Sequence, residues 1–194
     1  MNPALYQKIK ELQVWGVVCN QWGDTGKGKI VDILGSGADV TVRSAGGANA
    51  GHTIVFGDLK FVTHLITSGI FQDNPDMINI IGRDVAMDGL VLWEEVETAV
   101  RAGVFTPTSE NFKISHEAPL MLPYHIFFDR CSPGCKQIGT TGRGIGPMYS
   151  DFISRRNLFV NDLANPGIFK EKLRAYAEYC RPMLQMVDKK MAKQ

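Results

Sequence analysis

VWGVVCNQWGDTGKGKIVDILG, Val14–Gly35, decides how this chain is read. Its first part, Val14–Asn20, is short, apolar and rich in valine, which predicts a buried β-strand. Gly23, Gly26 and Gly28 follow, interleaved with Asp24, Lys27 and Lys29. Lys29–Leu34 then reads as a helix closed by Gly35-Ser36-Gly37. Asp39–Arg43 alternates and is β-branched, so it predicts the next strand, and the whole fits one βαβ unit. The spacing Gly23-x-x-x-x-Gly28-Lys29 is that of a phosphate-cradling loop. Glycine amides turn toward one anion, the following helix offers the positive end of its dipole, and Lys27 and Lys29 add charge. Ile30 stands where such loops carry a magnesium-binding Ser or Thr, so a metal needs another oxygen, and Asp24 is the nearest. A carboxylate in a phosphate cradle repels its ligand unless it holds a cation or handles a proton. The bland alternative is a glycine turn with surface lysines.

Farther along, His52–Phe56 and Phe61–Leu65 predict two strands joined through Gly57–Lys60. Met77–Ile81 predicts a buried strand. Asp88 caps an expected helix from Gly89 to about Ala102, with Leu90, Val91, Val96 and Val100 inward and Glu94, Glu95 and Glu97 outward. Phe112–Ser115 is a strand candidate, and Leu5–Gln13, Leu122–Arg130 and Tyr149–Arg156 are helix candidates. From Pro166 the chain reads as a helical tail interrupted at Pro182. Strands alternating with helices predict an α/β, P-loop-like nucleotide-binding fold, with a mostly parallel central sheet flanked by helices. The expected organisation is 1–163 as a nucleotide-binding part and 164–194 as the helical tail.

The chain has 194 residues, 44% of them apolar and 21% charged, with a formal net charge of +1. That balance supplies no bulk electrostatic case for nucleic acid or an anionic membrane. No apolar run reaches membrane-spanning length, and the first residues lack the apolar core of a secretory signal, so the cytoplasm is the expected location. Among Cys19, Cys131, Cys135 and Cys180, only the C-S-P-G-C pair is close, and no second pair completes a zinc site. Free thiols are expected.

Two further glycine clusters stand out. Ser44–Thr53 (SAGGANAGHT) places His52 at the mouth of a strand, at the sheet end where α/β ligands bind. His64, His116 and His125 read as structural. Gly139–Pro147 (GTTGRGIGP) combines two hydroxyls, one arginine and four glycines, a donor set suited to an anion. Arg155-Arg156 could reach a phosphate or a partner subunit, or form a solvated patch.

QWGDTGKGK, GGANAGHT and IGTTGRGIGP, in that order, with HLITSGI and Arg155-Arg156, resemble adenylosuccinate synthetases. The resemblance runs from about Val14 to about Leu163. It implies a GTP-dependent ligase of purine (AMP) biosynthesis that joins IMP to L-aspartate through a 6-phosphoryl-IMP intermediate, using Mg2+, as a homodimer. By that resemblance Asp24 is the base and His52 the acid. Gly23, Asp24, Thr25, Gly26, Lys27, Gly28, Lys29, Gly51, His52 and Thr53 hold GTP. IMP meets Asp24, Thr25, Gly26, Lys27, Asn49, Ala50, Gly51, His52 and Thr141, with Arg155 serving the other subunit's site. Asp24 and the Gly51 carbonyl ligate the metal.

The sequence departs from the family pattern in three ways. Thr25 replaces the usual Glu, Ala48 replaces the usual His, and the segments that read guanine and aspartate are not recognised. The fold is therefore expected to be incomplete relative to the family, as a fragment or truncated member, or a half that pairs with another chain. The alternative function is a nucleotide-binding module without turnover. A separate reading, an unrelated P-loop GTPase or ATPase, is disfavoured by Ile30 and by the lack of an Asn-Lys-x-Asp segment.

Overall fold

The computed structural model describes residues 7–8, 11–21, 26–56, 59–72, 74, 76–131 and 139–187. In chain order the elements are α1 (Lys27–Gly35), β1 (Val40–Gly46), β2 (His52–Phe56), β3 (Leu59–Thr63), a 3-10 turn (Ser68–Phe71), β4 (Ile78–Val85) and α2 (Gly89–Arg101). Then come β5 (Phe112–Ile114), α3 (Pro123–Cys131), α4 (Ile145–Ile153), a second 3-10 turn (Val160–Ala164) and α5 (Pro166–Val187). The architecture is α/β, as expected. Strands β1, β4 and β5 form one sheet in that order, with β4 and β5 parallel. Ile78 N–H bonds to the Asp39 carbonyl at one end and Ala86 N–H to the Gly46 carbonyl at the other, so β1 and β4 also run the same way. Strands β2 and β3 form a separate antiparallel hairpin in which Phe56 pairs with Leu59.

The chain resolves into two compact units. The first comprises residues up to Ser44, Ala50–Gly82 and Leu90–Ile114. Its core holds Leu65, Ile66, Ile70, Met77, Ile81, Leu92 and Ala99, with the Phe61 and Phe71 rings 4.9 Å apart. A buried polar knot sits among them: the Thr41 and Thr67 hydroxyls bond to the Asn79 side-chain oxygen at 2.9 and 2.6 Å. The second unit comprises Ala45–Asn49, Arg83–Gly89 and the residues from Ser115 on. Val85, Ala86, Ala118, Leu120, Met148, Leu158, Tyr176 and Cys180 form its core.

Several expectations need correction. Val14–Asn20 is not in a strand. It keeps a period-two pattern, with Val14 and Val18 exposed at 89% and 84% and Trp15, Val17 and Cys19 half-buried. Apolar alternation favours an extended chain, but a strand also needs a ladder partner, and none is formed among the described residues. Strand β3 starts at Leu59 and ends at Thr63 rather than covering Phe61–Leu65, so the hairpin turn is tighter than expected. Its Gly57 and Asp58 lie outside the described residues, as does most of Leu5–Lys10; Gln7, Lys8 and Glu11 are helical, whereas Leu12 and Gln13 are not.

Helix α2 has the expected period and a different phase. Leu90 and Trp93 are 78% and 67% exposed, and Val100 is exposed. The inward stripe is Leu92, Glu95, Val96 and Ala99, a regular i, i+3, i+4, i+7 set. The stripe includes a carboxylate because backbone amides of the 64–66 segment satisfy it. Helix α4 begins at Ile145 and stops at Ile153, earlier than Tyr149–Arg156. Helix α5 runs unbroken through Pro182 to Val187. Pro182 is exposed, so the carbonyl its ring leaves without a donor faces water. Residues 188–194 lie outside the described set.

Candidate functional site

The first glycine loop delivers the chain into α1 through Gly26, whose φ of 75° is left-handed. Its N-cap residue is glycine, which has no side chain to cap with, and the first turn carries no acid. The leading amides of a helix have no intrahelical acceptor, and the dipole there favours an anion. Lys27 and Lys29 are exposed beside it, while Gly28 is buried. The reason for Gly28 is local: a Cβ there would lie 2.4 Å from His52 Nδ1. Only glycine lets the imidazole rest on the backbone of the α1 first turn. The structure thus brings Gly28 and His52, 24 positions apart in sequence, into contact within the first unit. Gly51 and Thr53 flank His52 and are exposed, as is Ala50 in part. Gly23, Asp24 and Thr25 lie outside the described residues, so this geometry places only the α1 side of the loop.

The remaining sequence candidates, Asn49, Thr141 and Arg155, belong to the second unit. Thr141 is exposed on a loop that ends at Gly144, with φ 80°. Gly144 N–H donates to the buried Asp129 carboxylate at 2.8 Å, and Arg130 Nε donates to the Gly142 carbonyl at 3.1 Å. The second glycine loop is therefore fastened onto α3.

Arg155 sits at an unusual backbone position. Arg155 N–H bonds to the Phe152 carbonyl and Arg156 N–H to the Asp151 carbonyl. That pair of bonds is a Schellman closure of α4, with Arg155 at the left-handed position usually given to glycine. Its φ is 59°, the one positive value among the described non-glycine residues. The two arginines then part ways. Arg156 is held by Asp151 Oδ1 at 3.4 Å and stacks over the Tyr179 ring at 4.7 Å. Arg155 is exposed, without a carboxylate partner among the described residues, and lines a groove of about 700 Å³ with Arg83, His116, Phe159 and Lys172. Arg83 is paired with Glu117 and Lys172 with Asp162, which leaves Arg155 as the groove's uncompensated cation.

Behind α4 lies a buried network. Tyr176 OH donates to Asp151 Oδ2, and His125 Nε2 stands 3.4 Å from the same oxygen, close but outside hydrogen-bond geometry. His125 Nδ1 accepts the Leu122 N–H, which puts the ring proton on Nε2. Burial lowers the His125 pKa, partly opposed by Asp151. Burial raises Tyr176 and Cys180. Cys19, Cys131 and Cys180 form no disulfide. No helix among the described residues is long and apolar enough to cross a membrane.

An α/β architecture, a glycine-led helix start and a histidine seated on its first turn are the arrangement the glycine spacing predicts. The profile of the adenylosuccinate synthetase family matches residues 16–194, and the chain belongs to that family. It is 48% identical over 161 residues to the adenylosuccinate synthetase of Clostridium acetobutylicum, covering 81% of this chain and 37% of the relative. Against the Halothermothrix orenii enzyme the identity is 44% over 174 residues, covering 88% and 40%. The fully ligated adenylosuccinate synthetase from Plasmodium falciparum superposes with a TM-score of 0.75 at 34% identity, over 87% of this chain and 39% of that one. A cyanophage S-2L succinoaminodeoxyadenylate synthetase bound to dGMP and dATP shares the fold, with TM-score 0.57 at 24% identity over 84% and 45%. The chain spans about two fifths of the length of the curated relatives it matches.

Sequence reasoning set Glu95 outward and overlooked Asp129 and Asp151. Each is a carboxylate whose neighbours are distant in sequence, and no local spacing signals it.

Proposed function

We propose that this chain supplies the phosphate- and inosinate-binding part of a GTP-dependent ligase that joins IMP and L-aspartate to give adenylosuccinate, GDP and phosphate. The observation that carries this reading is the seating of His52 on Gly28, at the glycine-led start of α1. In this reading Asp24 takes the proton from N1 of IMP, so that O6 attacks the γ-phosphate of GTP. General base catalysis of this kind contributes roughly 10²–10⁴-fold. The resulting 6-phosphoryl-IMP loses phosphate to the aspartate amine. His52, as an imidazolium, and Lys27, Lys29 and the leading amides of α1 neutralise charge on the phosphates, which is most of what phosphoryl transfer requires. Asn49, Ala50 and Thr141 orient IMP. The reaction is placed in the cytoplasm.

Magnesium fits the donors available. With Ile30 in place of a hydroxyl, the candidates are one carboxylate, Asp24, and one carbonyl, Gly51. Such a sparse, hard-oxygen set suits an ion that keeps most of its waters. When bound, it would supply further charge neutralisation at the phosphates. The exposed, left-handed Arg155 supports an arginine offered outward, to the inosinate phosphate of a second subunit in a homodimer.

The test is calorimetry of this chain with IMP and with GTP, beside an assay for phosphate release and adenylosuccinate. With the full gene product, wild type should release phosphate and form adenylosuccinate, and Asp24→Asn should abolish both. Equal rates for the two would remove the proposed base. Binding without release would make the chain a nucleotide-binding module instead.

A further inference from the structure

One carboxylate holds three successive amides in the first unit. Glu95, midway along α2, accepts the His64 N–H at 2.7 Å through Oε1 and the Ile66 N–H at 3.0 Å through Oε2. The Leu65 N–H is shared between the two oxygens, at 3.2 and 3.0 Å. Amides converging on an anion fix the backbone that bears them. That backbone presents the His64 ring, whose Nδ1 lies 2.9 Å from the Ala50 carbonyl oxygen. A carbonyl can only accept, so Nδ1 carries the proton. The ring also covers the next residue, since a Cβ on Gly51 would come within 3.1 Å of His64 Cε1. A trans peptide points its C=O and N–H in opposite directions, and the described chain has no cis bonds. Pinning the Ala50 oxygen toward His64 therefore turns the Gly51 N–H away from it. This amide immediately precedes His52, the residue packed on Gly28.

We propose that His64, locked by Glu95, is a positioning residue that aims the Gly51 amide as a fixed donor to a nucleotide phosphate. The role deepens the phosphate-site reading above and rests on it. His64 acts through the peptide and does not touch the ligand.

The first arm of the test needs no ligand. In the 15N-labelled full chain, His64 should be the Nδ1–H tautomer. The Gly51 amide resonance should move in His64→Leu and stay near its wild-type place in His64→Asn, whose Nδ2 can replace the lost donor. An Nε2–H tautomer, or a Gly51 amide indifferent to His64→Leu, overturns the inference. The second arm is calorimetry with GDP. Losing the alignment of one amide–phosphate bond should weaken GDP about tenfold in His64→Leu, and less than about threefold in His64→Asn. Glu95→Gln should fall between them. Should Glu95→Gln fail to fold, the two His64 variants still decide. Equal GDP affinity in wild type and His64→Leu overturns the inference. A wild type that binds no GDP overturns the phosphate-site reading, and the tautomer and the Gly51 resonance then judge the clamp by themselves.

Discussion

Two glycine-led helix starts use one backbone device for opposite ends. Gly26 and Gly144 each lead a helix from the left-handed region, at φ 75° and 80°, and as glycines neither can cap its helix with a side chain. At the second loop the amide is already taken, because Gly144 N–H donates to buried Asp129. Glycine is needed there because a Cβ would strike the backbone of α3, 2.7 Å from Ile126 N and 2.8 Å from the His125 carbonyl carbon. At the first loop the crowding neighbour of Gly28 is an imidazole, and the helix start carries no acid of its own. A glycine-rich turn into a helix is thus not by itself an anion site. Among the described residues, what distinguishes the two is that a buried carboxylate already takes the second loop's amide.

The largest expected effect follows from that contrast. Gly144→Ala combines a left-handed φ with a clash against backbone that cannot rotate aside, and should cost about 3 kcal/mol of stability. Denaturant unfolding measures it. Asp129→Asn, which leaves the Gly144 amide a weaker acceptor, should cost about 1–2 kcal/mol in the same assay. Gly28→Ala should behave oppositely. The side chain it meets can swing away, and alanine favours a helix by about 1 kcal/mol over glycine, so the fold should survive while nucleotide affinity falls. If Gly28→Ala unfolds the chain and Gly144→Ala does not, the comparison is inverted.

Much of this was legible in the sequence, and the pattern of what was not is instructive. Helix α1, strands β1, β2, β4 and β5, and the helices α2 and α3 follow from period, β-branching and glycine stops, all carried within a dozen residues. The rule that α/β ligand sites gather at strand ends predicted His52 beside the first loop; the contact is made, but from the head of the antiparallel β2–β3 hairpin and without a strand at Val14–Asn20. Val14–Asn20 failed because a ladder depends on a partner strand that the run itself does not encode. The face of α2 failed because charge was taken to mean solvent, whereas Glu95 is satisfied by amides about 30 residues away in sequence. Arg155 and Arg156 look equivalent as a pair; only the Schellman closure and the Tyr179 ring separate them.

Arg155 sharpens the comparison by reversing the sign. It is an arginine where the backbone favours glycine, at a position closing the helix that the second loop opens. Replacing it with glycine should stabilise the fold by about 1 kcal/mol, because an L-residue in the left-handed region carries a penalty of that order. On the proposed role, the same change should also cost a charge-assisted contact of roughly 1.5–3 kcal/mol to an inosinate phosphate. A thermal midpoint that rises while IMP affinity drops would show a residue kept for its ligand against its backbone preference. A midpoint that falls would place Arg155 among the residues that hold the fold.

The smallest effect separates the two regions by pH. The second loop rests on α3, which carries His125, a ring held neutral by burial with its pKa below the ordinary 6.5. As pH falls through about 6.5, the unfolded chain takes up a proton that the folded chain refuses, so stability drops on the acid side. At the other end, burial holds the Cys180 and Tyr176 protons. The unfolded chain releases its thiol proton near pH 9 while the folded one does not, and stability falls again as pH rises past that value. Unfolding free energy should therefore form a plateau between about 6.5 and 9. His125→Gln should flatten its acid limb, and Cys180→Ala should reduce its alkaline limb. An acid limb unchanged in His125→Gln would assign the proton uptake to another group and leave the seat of the second loop indifferent to pH.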